Sequence, residues 1–407
     1  MMKFIEGGVC AAQGFRANGV HCGIRKNKIK KDLALIVSDV PAAAAAVYTT
    51  NLVKGAPLLV TKRHLANGVA QAIICNSGNA NTCNANGVEI AESMCELVSE
   101  VTGVPATDVV VASTGVIGQP LDITPIRREL PALVAGLTAD HLGARAAADA
   151  IITTDTVAKE VAVEFTVGGK VCHLGGIAKG SGMIHPNMAT MLVFITTDVA
   201  ISAEMLGKAL SGDIKKTFNM VSIDGDTSTN DMVTVLANGM AENEKIVAEG
   251  ADFDTFMQAL NSVNVALCRM LAGDGEGATK LLECKVTGAK CPHCAARVAK
   301  SVICSSLLKS AMFGADANWG RVLCAIGYSG ADVDVNTIAV SFRSAKGTVV
   351  VCENGAGVPF SEEIAKEILL EKEIEILVDF GSGEASATAW GCDLTYDYVR
   401  INGDYRT

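Results

Sequence analysis

Thr190 lies where a side-chain hydroxyl could act as a nucleophile. It ends the segment KGSGMIHPNMAT, which begins at Lys179, and the apolar run MLVFI follows directly. If the bond between Ala189 and Thr190 breaks, Thr190 gains a free α-amine beside its own hydroxyl, so a weak nucleophile and its base share one residue. The pattern predicts a chain that cuts itself and then transfers an acyl group. Taken alone, the same pair also fits an ordinary strand residue.

The cleavage chemistry follows from the same two residues. The Thr190 hydroxyl would attack the Ala189 carbonyl in an N-to-O acyl shift, and hydrolysis of the resulting ester would complete the cut. An α-amine titrates at about 7.7–8.0 in model compounds, and a pKa near the working pH suits a general base. We expect the same hydroxyl oxygen to carry the acyl group during turnover.

Short strands and helices alternate along the part of the chain that precedes this segment. Residues 69–75 and 108–112 have the composition of buried strands, and the second runs into Ser113-Thr114-Gly115. Residues 76–87, NSGNANTCNANG, have loop composition, because Asn and Gly tolerate positive φ. Residues 88–101 show helical spacing of apolar side chains.

The second half of the chain alternates more plainly. Residues 253–271 and 295–308 are predicted helices. Ser361 is a predicted N-cap for a helix that runs to about Lys372, and residues 373–380 are a predicted strand. Interleaved strands and helices indicate α/β layers.

Composition narrows the classes of function. The chain has 407 residues, of which 49% are hydrophobic and 19% charged, enough for about two domains. Its net charge of −10 disfavours a phosphate backbone as partner, so we expect no nucleic acid. The most apolar early stretch, 33–47, is too short to span a bilayer, so we expect no membrane association. The start of the sequence has no apolar core of a signal peptide.

Six blocks of sequence resemble the ornithine acetyltransferase family of arginine biosynthesis, also called glutamate N-acetyltransferase. The similarity covers essentially the whole length. The blocks are STGVIG at 113–118, Lys179 to Leu192, DGDTSTND at 224–231, GDGEGATK at 273–280, NWGR at 318–321, and the tail from Trp390-Gly391-Cys392-Asp393-Leu394 to Thr407.

The resemblance implies an α/β fold of stacked helix and sheet layers in a self-processing N-terminal-nucleophile acyltransferase. It implies an alpha fragment, 1–189, that carries the oxyanion-hole residues and a beta fragment, 190–407, that begins with the nucleophile, while structural domains can cross the cut. Two copies of each would form a cytoplasmic heterotetramer. The implied reaction moves acetyl from N2-acetylornithine to glutamate. Some family members also use acetyl-CoA as a co-substrate, and no residue here decides that point.

The resemblance also assigns roles to single residues. Thr114 and Gly115 match the oxyanion hole, where a hydroxyl and a backbone N–H would meet the charge on the carbonyl oxygen. The matching substrate contacts are Thr153, Lys179, Thr190, Glu276, Asn402 and the terminal Thr407. Three of these assignments have an alternative: Thr114-Gly115 as a strand-to-turn pair, Thr153 as a strand-end residue, and Glu276 as part of a solvated turn.

No cofactor and no metal are expected. The loop GDGEGATK lacks the GxxxxGK[ST] spacing of a phosphate-binding loop, and its acids would repel phosphate. Cys291-Pro292-His293-Cys294 departs from the family pattern and hints at zinc or a redox pair, with Cys284 and Cys304 nearby. A closed zinc site needs four ligands, and no second paired motif follows. We expect free thiols here, as in a reducing cytosol.

Two other classes of function remain open. A self-processing aminopeptidase or amidase would make the same cut and pass its acyl group to water. A non-catalytic α/β binding protein would make Thr190 irrelevant. An amidase would differ from an acetyltransferase in its acyl acceptor, which is water. A binding protein would differ in that it need not cut itself.

Overall fold

The computed structural model describes residues 2–185 and 191–403. The predicted cleavage bond between Ala189 and Thr190 and the terminal Thr407 therefore lie outside the described residues. Within them the fold is mixed α/β and contains two sheets.

The strands are numbered in chain order through the described residues. They are β1 Lys3–Ile5, β2 Phe15–Val20, β3 Leu33–Tyr48, β4 Val69–Asn79, β5 Val109–Val116, β6 Lys159–Val167, β7 Lys170–Lys179, β8 Leu192–Thr197, β9 Val221–Ser222, β10 Met232–Ala237, β11 Leu281–Ala289, β12 Ala339–Ser344, β13 Gly347–Glu353, β14 Ala356–Gly357, β15 Glu373–Asp379 and β16 Ala385–Cys392.

The α-helices are numbered in the same way. They are α1 Ala56–His64, α2 Gly87–Thr102, α3 Thr124–Ala135, α4 His141–Ile151, α5 Ala203–Ile214, α6 Ala251–Gly273, α7 Pro292–Cys304, α8 Ser306–Phe313, α9 Trp319–Gly327, α10 Glu362–Leu369 and α11 Tyr396–Asn402. No helix in the described part of the chain is long and apolar enough to cross a bilayer.

The described residues form two compact units. Unit 1 contains 2–180, 191–218 and 227–267, and unit 2 contains 181–185, 219–226 and 268–403. Each unit therefore includes residues from both sides of the predicted cut. The division into fragments 1–189 and 190–407 stays a prediction.

The sheet of unit 1 runs in the order β1-β6-β7-β8-β10-β3-β4-β5, and β2 also pairs with β3. Strands β8 and β10 are parallel to each other and lie between β7 and β3. These two inner strands follow the predicted cut in sequence, whereas both of their outer neighbours precede it.

Both faces of this sheet are buried. Along β3, Ala34 and Ile36 pack into a cluster with α4, whereas Leu33, Leu35 and Val37 pack into another with α2 and α3. Successive side chains of a strand point to opposite faces, so a continuous apolar run is what a sheet covered on both sides requires.

Unit 2 contains the second sheet, in the order β14-β13-β12-β15-β11-β16-β9. Its inner strand β11 is parallel to β15 and antiparallel to β16. Helix α7 packs against β11 and β16.

Several predicted elements are confirmed and two need correction. The Ser361 N-cap is confirmed, since its side chain accepts from the Ile364 N–H, although α10 already ends at Leu369. The single helix predicted over 295–308 is wrong. It is divided between α7 and α8 because Ser305 leaves the helical conformation and caps the Leu308 N–H.

The predicted loop 76–87 is also partly wrong, because β4 continues to Asn79. The segment is more buried than its composition suggests: Asn76, Asn81 and Thr82 are all buried. Hydrogen bonds satisfy the polar groups of these side chains, and buried polar groups require such partners. The expected positive φ values do occur, at Gly78 and Asn81.

Candidate active site

Thr114 and Gly115 lie near the end of β5, where its pairing with β4 becomes irregular. Asn79 of β4 faces both Thr114 and Val116. Gly115 has φ +131°, and a Cβ there would lie 2.4 Å from the carbonyl carbon of Gly78. Only glycine tolerates such a position. Strand irregularities of this kind re-aim backbone groups and are common beside active sites.

A buried polar network fixes the residue that precedes this pair. Ser113 Oγ donates to Asn76 Oδ1 at 2.6 Å, and Asn76 Nδ2 donates to the Asn79 carbonyl at 3.0 Å. Asn230 Nδ2 donates to the carbonyls of Ser113 at 2.9 Å and Ala80 at 2.6 Å. Because a fully satisfied buried network is rigid, the ends of β4 and β5 are held in one geometry.

The residues after Asn230 connect this network to β8. The Met232 N–H donates to the carbonyl of Met191, the residue that follows the predicted nucleophile, at 2.9 Å. Met232 is also the register partner of Leu192, and Leu192 pairs on its other side with Lys179. One short segment therefore joins the strand of the predicted oxyanion donors to the start of the strand that follows the predicted cut.

Asp155 holds the backbone at two predicted substrate contacts. Its carboxylate accepts from the N–H of Thr153 at 3.0 Å and from the N–H of Gly180, next to Lys179, at 2.7 Å. Lys159 Nζ donates to it at 2.6 Å, and both side chains of this ion pair are fully buried. Burial alone would raise the pKa of Asp155, but the charges of Lys159 and Lys179 outweigh burial and lower that pKa.

Asp231 is a second buried carboxyl in unit 1, and its surroundings differ from those of Asp155. Its Oδ2 has no hydrogen-bond partner among the described residues. Burial raises the pKa of Asp231 well above its usual value and outweighs both the hydrogen bond from Ser228 and the charge of Lys179. Burial therefore shifts Asp231 toward its protonated form relative to a carboxyl in water.

In unit 2, Glu276 follows α6 and is 7% exposed. Its N–H donates to the Ser181 carbonyl at 2.8 Å. Its Oε2 accepts from Asn402 Nδ2 at 2.7 Å, and the same Nδ2 also donates to the Tyr398 carbonyl at 3.0 Å. A Cβ at Gly182 would lie 2.4 Å from this carboxylate, so a glycine there lets the backbone approach it closely.

Asp224 holds the residues that follow Gly182. Its carboxylate accepts from the N–H groups of Met183 at 2.6 Å and Ile184 at 2.9 Å. Burial raises the pKa of Tyr398, and the neighbouring carboxylates, Asp224 and Glu276 among them, raise it further. This part of unit 2 is therefore acidic and suits a cationic group.

The structure brings the predicted residues together in two sets. Thr153 and Lys179 flank Asp155 in unit 1, which also contains Thr114 and Gly115. Glu276 and Asn402 contact each other in unit 2. Ala189, Thr190 and Thr407 lie outside the described residues, and their roles stay predictions.

Sequence reasoning missed Asp155, Asn230 and Asp231. Asp155 and Lys159 have the i,i+4 spacing of an exposed helical ion pair, which conceals their burial beside β6. Asn230 and Asp231 directly precede the apolar run of β10. Two polar residues directly before a buried strand are a sequence signal from which they could have been predicted.

The expectation of free thiols at Cys291 and Cys294 is wrong, because the structure joins them in a disulfide. Cys291 is the N-cap of α7, and its Sγ accepts from the Cys294 N–H at 3.1 Å. This cap places the two Cα atoms 5.3 Å apart, within the range that a disulfide spans. The other twelve cysteines, all within the described residues, are not in disulfides, and most of them are buried.

His185 ends the described segment before the predicted cut. Its Nδ1 lies 3.0 Å from Ser222 Oγ and 3.5 Å from Cys304 Sγ. Burial, assisted by the charge of Lys300, lowers the pKa of His185 to about 4. Across the described residues, no group of three or more His, Cys, Asp or Glu side chains is arranged to hold a metal ion.

Comparison with known proteins gives consistent matches. The model of the ArgJ family matches residues 16–407. The arginine biosynthesis bifunctional protein ArgJ of Caldanaerobacter subterraneus subsp. tengcongensis is 51% identical over 407 residues and covers 100% of both chains. That of Symbiobacterium thermophilum is 48% identical over 408 residues, again with 100% of both covered. The structure of Mycobacterium tuberculosis ornithine acetyltransferase complexed with ornithine is 36% identical, covers 46% of this chain and 100% of its own, and has a TM-score of 0.44.

Proposed function

The chain belongs to the ArgJ family, and from that membership we propose that it is an acetyltransferase of arginine biosynthesis. It takes an acetyl group from N2-acetylornithine and gives it to glutamate, with ornithine and N-acetylglutamate as products. The names of its full-length relatives, arginine biosynthesis bifunctional proteins, support the assignment. The word bifunctional further favours acetyl-CoA as a second acetyl donor.

The proposed mechanism has two stages. The chain first cuts itself between Ala189 and Thr190, which frees the α-amine of Thr190. That amine then takes the proton of the hydroxyl as it attacks the acetyl carbonyl. An acetyl-Thr190 ester forms, ornithine leaves, and the amino group of glutamate attacks the ester in a ping-pong sequence.

One observation carries the proposal. The residues 230–232 bind the carbonyl of Ser113 through Asn230 and the carbonyl of Met191 through Met232. Ser113 directly precedes the proposed oxyanion donors, and Met191 directly follows the proposed nucleophile. Acyl transfer requires a hydroxyl nucleophile and oxyanion donors held in fixed relation, and this segment supplies a rigid link within unit 1.

The two sets of substrate contacts have opposite charge. Lys179 can pair with a substrate carboxylate as a compact cation. The buried Asp155 carboxylate holds the backbone of both Thr153 and Gly180, the residue next to Lys179. Glu276, supported by Asn402, can accept an ammonium group such as the side chain of ornithine. We assign Thr407 the role of a further contact on the strength of the family pattern alone.

We also propose the assembly that the family implies. Two alpha fragments, 1–189, and two beta fragments, 190–407, form a heterotetramer in the cytoplasm. Native mass spectrometry of the purified protein measures this composition directly, and any other stoichiometry contradicts it.

The test compares the wild-type chain with Thr190→Ala. Intact-mass analysis should show two wild-type fragments, the second beginning at Thr190, and one uncut variant chain of 42.1 kDa. Incubation with N2-acetylornithine and glutamate should yield ornithine and N-acetylglutamate only with the wild type.

Three results would point elsewhere. A wild-type chain that stays uncut would contradict the proposed mechanism. Cutting followed by release of acetate, with no N-acetylglutamate, identifies an amidase that uses water as the acceptor. An active Thr190→Ala variant excludes Thr190 as the nucleophile.

A further inference from the structure

The motif Cys291-Pro292-His293-Cys294 at the start of α7 takes no part in the proposed acetyl transfer. The structure joins its two cysteines in a disulfide. Both cysteines are half-buried, and the two residues between them, Pro292 and His293, are exposed. A small thiol in solution can therefore reach this pair, whereas most cysteines of the described chain are buried.

This disulfide does not tie distant parts of the fold together. Its cysteines have a sequence separation of 3 and lie at the N-cap and in the first turn of one helix. In the chain-entropy model, the stabilisation that a disulfide gives grows with the length of the loop that it closes. A loop as short as this one gains little, so the position favours a redox role over a structural one.

The backbone at the motif suits the dithiol as well as the disulfide. Cys291 is the N-cap of α7, and its Sγ accepts a hydrogen bond from the Cys294 N–H at 3.1 Å. A reduced sulfur at Cys291 can accept the same bond. Pro292 follows at the first helical position, where its fixed φ already suits a helix. Opening the disulfide therefore leaves the start of the helix in place.

The surroundings of Cys291 favour negative charge on its sulfur. The N-terminal end of a helix carries positive partial charge, which stabilises an anion. The first turn of α7, which lies wholly within the described residues, has no acidic side chain, and His293 and Arg297 add basic groups. Cysteines react as thiolates. Burial instead raises the pKa of Cys75 to about 12, and a buried thiol of that kind stays inert.

We propose that Cys291 and Cys294 form a reversible exchange site for small thiols and disulfides. In the oxidising direction, the Cys291 thiolate attacks one sulfur of a small disulfide RSSR, a mixed disulfide forms and one RS⁻ leaves. The Cys294 thiol then loses its proton and attacks the Cys291 sulfur, and the second RS⁻ leaves. The protons of the two protein thiols end on two RSH molecules. The protein dithiol is oxidised, RSSR is reduced, and an excess of RSH reverses the reaction.

The test is a redox titration of the full wild-type protein, with reduced and oxidised glutathione as the probe couple. After equilibration, N-ethylmaleimide traps free thiols, and mass spectrometry counts the labels on the peptide that contains residues 291–294. We expect this peptide to pass from no label to two labels as the share of reduced glutathione rises, and to lose both when that share falls again. A pair that stays unlabelled in reduced glutathione alone, or that keeps both labels in oxidised glutathione alone, overturns the proposal.

Single variants test the order of attack. Cys294→Ser cannot complete the exchange, so it should accumulate a mixed disulfide between Cys291 and glutathione. In Cys291→Ser the remaining thiol lacks the N-cap position, and its glutathione adduct should form at least about 10-fold more slowly. Equal rates in the two variants contradict Cys291 as the attacking thiol, and the absence of an adduct in both overturns the exchange itself.

Cys324 is the matched control inside the same chain. It is also an exposed thiol on a helix, but it lies in the last turn of α9, where the negative end of the helix disfavours an anion. In reduced Cys294→Ser, iodoacetamide at neutral pH should modify Cys291 at least about 10-fold faster than Cys324, and equal rates count against the proposal. None of these measurements uses acetyl transfer, so their failure is distinguishable from failure of the proposed function.

Discussion

The two units hold predicted site residues in opposite ways. The unit 1 cluster consists of Thr114, Gly115, Asp155, Lys179 and Asp231. Thr114, Asp155 and Asp231 are buried, whereas Gly115 and the cation Lys179 are half-buried. The unit 2 cluster, which consists of Asp224, Glu276, Tyr398 and Asn402, is rich in carboxylates and includes the last turn of an exposed helix.

This difference separates chemistry from recognition. Stabilising a developing negative charge requires donors that are already fixed in position, and the unit 1 cluster has that rigidity. Recognising an ammonium group requires negative charge more than rigidity, and the unit 2 cluster provides it. Changes at Thr114 and Gly115 should therefore lower kcat, and changes at Glu276 and Asn402 should raise KM.

The largest expected effect is on kcat, from Gly115→Ala. The added Cβ would lie 2.4 Å from the Gly78 carbonyl carbon and would displace the proposed oxyanion donors, and losing such a donor typically costs about 100-fold or more. Steady-state kinetics of acetyl transfer measure this loss. Gly118→Ala is the control, because Gly118 also has positive φ but nothing within 4 Å of an added Cβ. If Gly115→Ala raised KM and left kcat unchanged, the assignment of unit 1 to the chemical step would be contradicted.

The next effect is on KM, from Glu276→Gln. A hydrogen bond to a charged group is worth about 1.5–3 kcal/mol, so KM for N2-acetylornithine should rise about 10- to 100-fold while kcat changes less. Asp397→Asn, which removes an exposed charge from the same unit, should leave KM unchanged. A fall in kcat at constant KM would place Glu276 in the chemistry instead.

A pH experiment sharpens the contrast inside unit 1. The pKa of Asp155 is lowered on folding, so the stability it contributes is present above its unfolded pKa, near 3.9, and is lost as pH falls below it. The pKa of Asp231 is raised, so its contribution is complete below about 3.9 and is lost as pH rises toward the folded pKa.

Urea unfolding in the Thr190→Ala background, which is expected to stay one chain, measures both limbs. Adding Asp231→Asn should raise the free energy of unfolding relative to its parent by about 1.4 kcal/mol for each pH unit above roughly 4, up to the folded pKa. Adding Asp155→Asn should instead flatten the acid limb. A pH-independent difference for either variant contradicts its assigned surroundings.

The smallest effect is expected from Asn402→Ala. It removes one hydrogen bond to Glu276 at 2.7 Å, worth about 1 kcal/mol, so KM for N2-acetylornithine should rise only several-fold. An effect as large as that of Glu276→Gln would show that Asn402 contributes more than support.

Local sequence signals predicted much of the fold, because helix caps and apolar spacing depend only on residues that are close together in the chain. The N-cap at Ser361 and the apolar spacing of α2 were sufficient to locate those helices. The extension of β4 through Asn79 was hidden, because polar amides resemble a loop until the distant carbonyls and hydroxyls that satisfy them are known.

The site residues divide in the same way. Thr114, Glu276 and Lys179 entered through recognisable blocks of sequence. Asp155 lies outside those blocks and Asp231 ends one of them, but neither received a role, because the behaviour of each carboxyl depends on its burial in the folded protein. No local pattern states that one carboxyl has three donors and the other has an unpaired oxygen.

The position of β8 and β10 between β7 and β3 has a consequence for the life of the protein. Cleavage before Thr190 would leave two polypeptides that share one sheet, with the inner strands from one and the outer neighbours from the other. Folding of the newly made chain is a first-order process, independent of concentration. After the cut, recovery from unfolding becomes a bimolecular encounter governed by mass action. Each molecule would therefore have one opportunity to fold as a single chain.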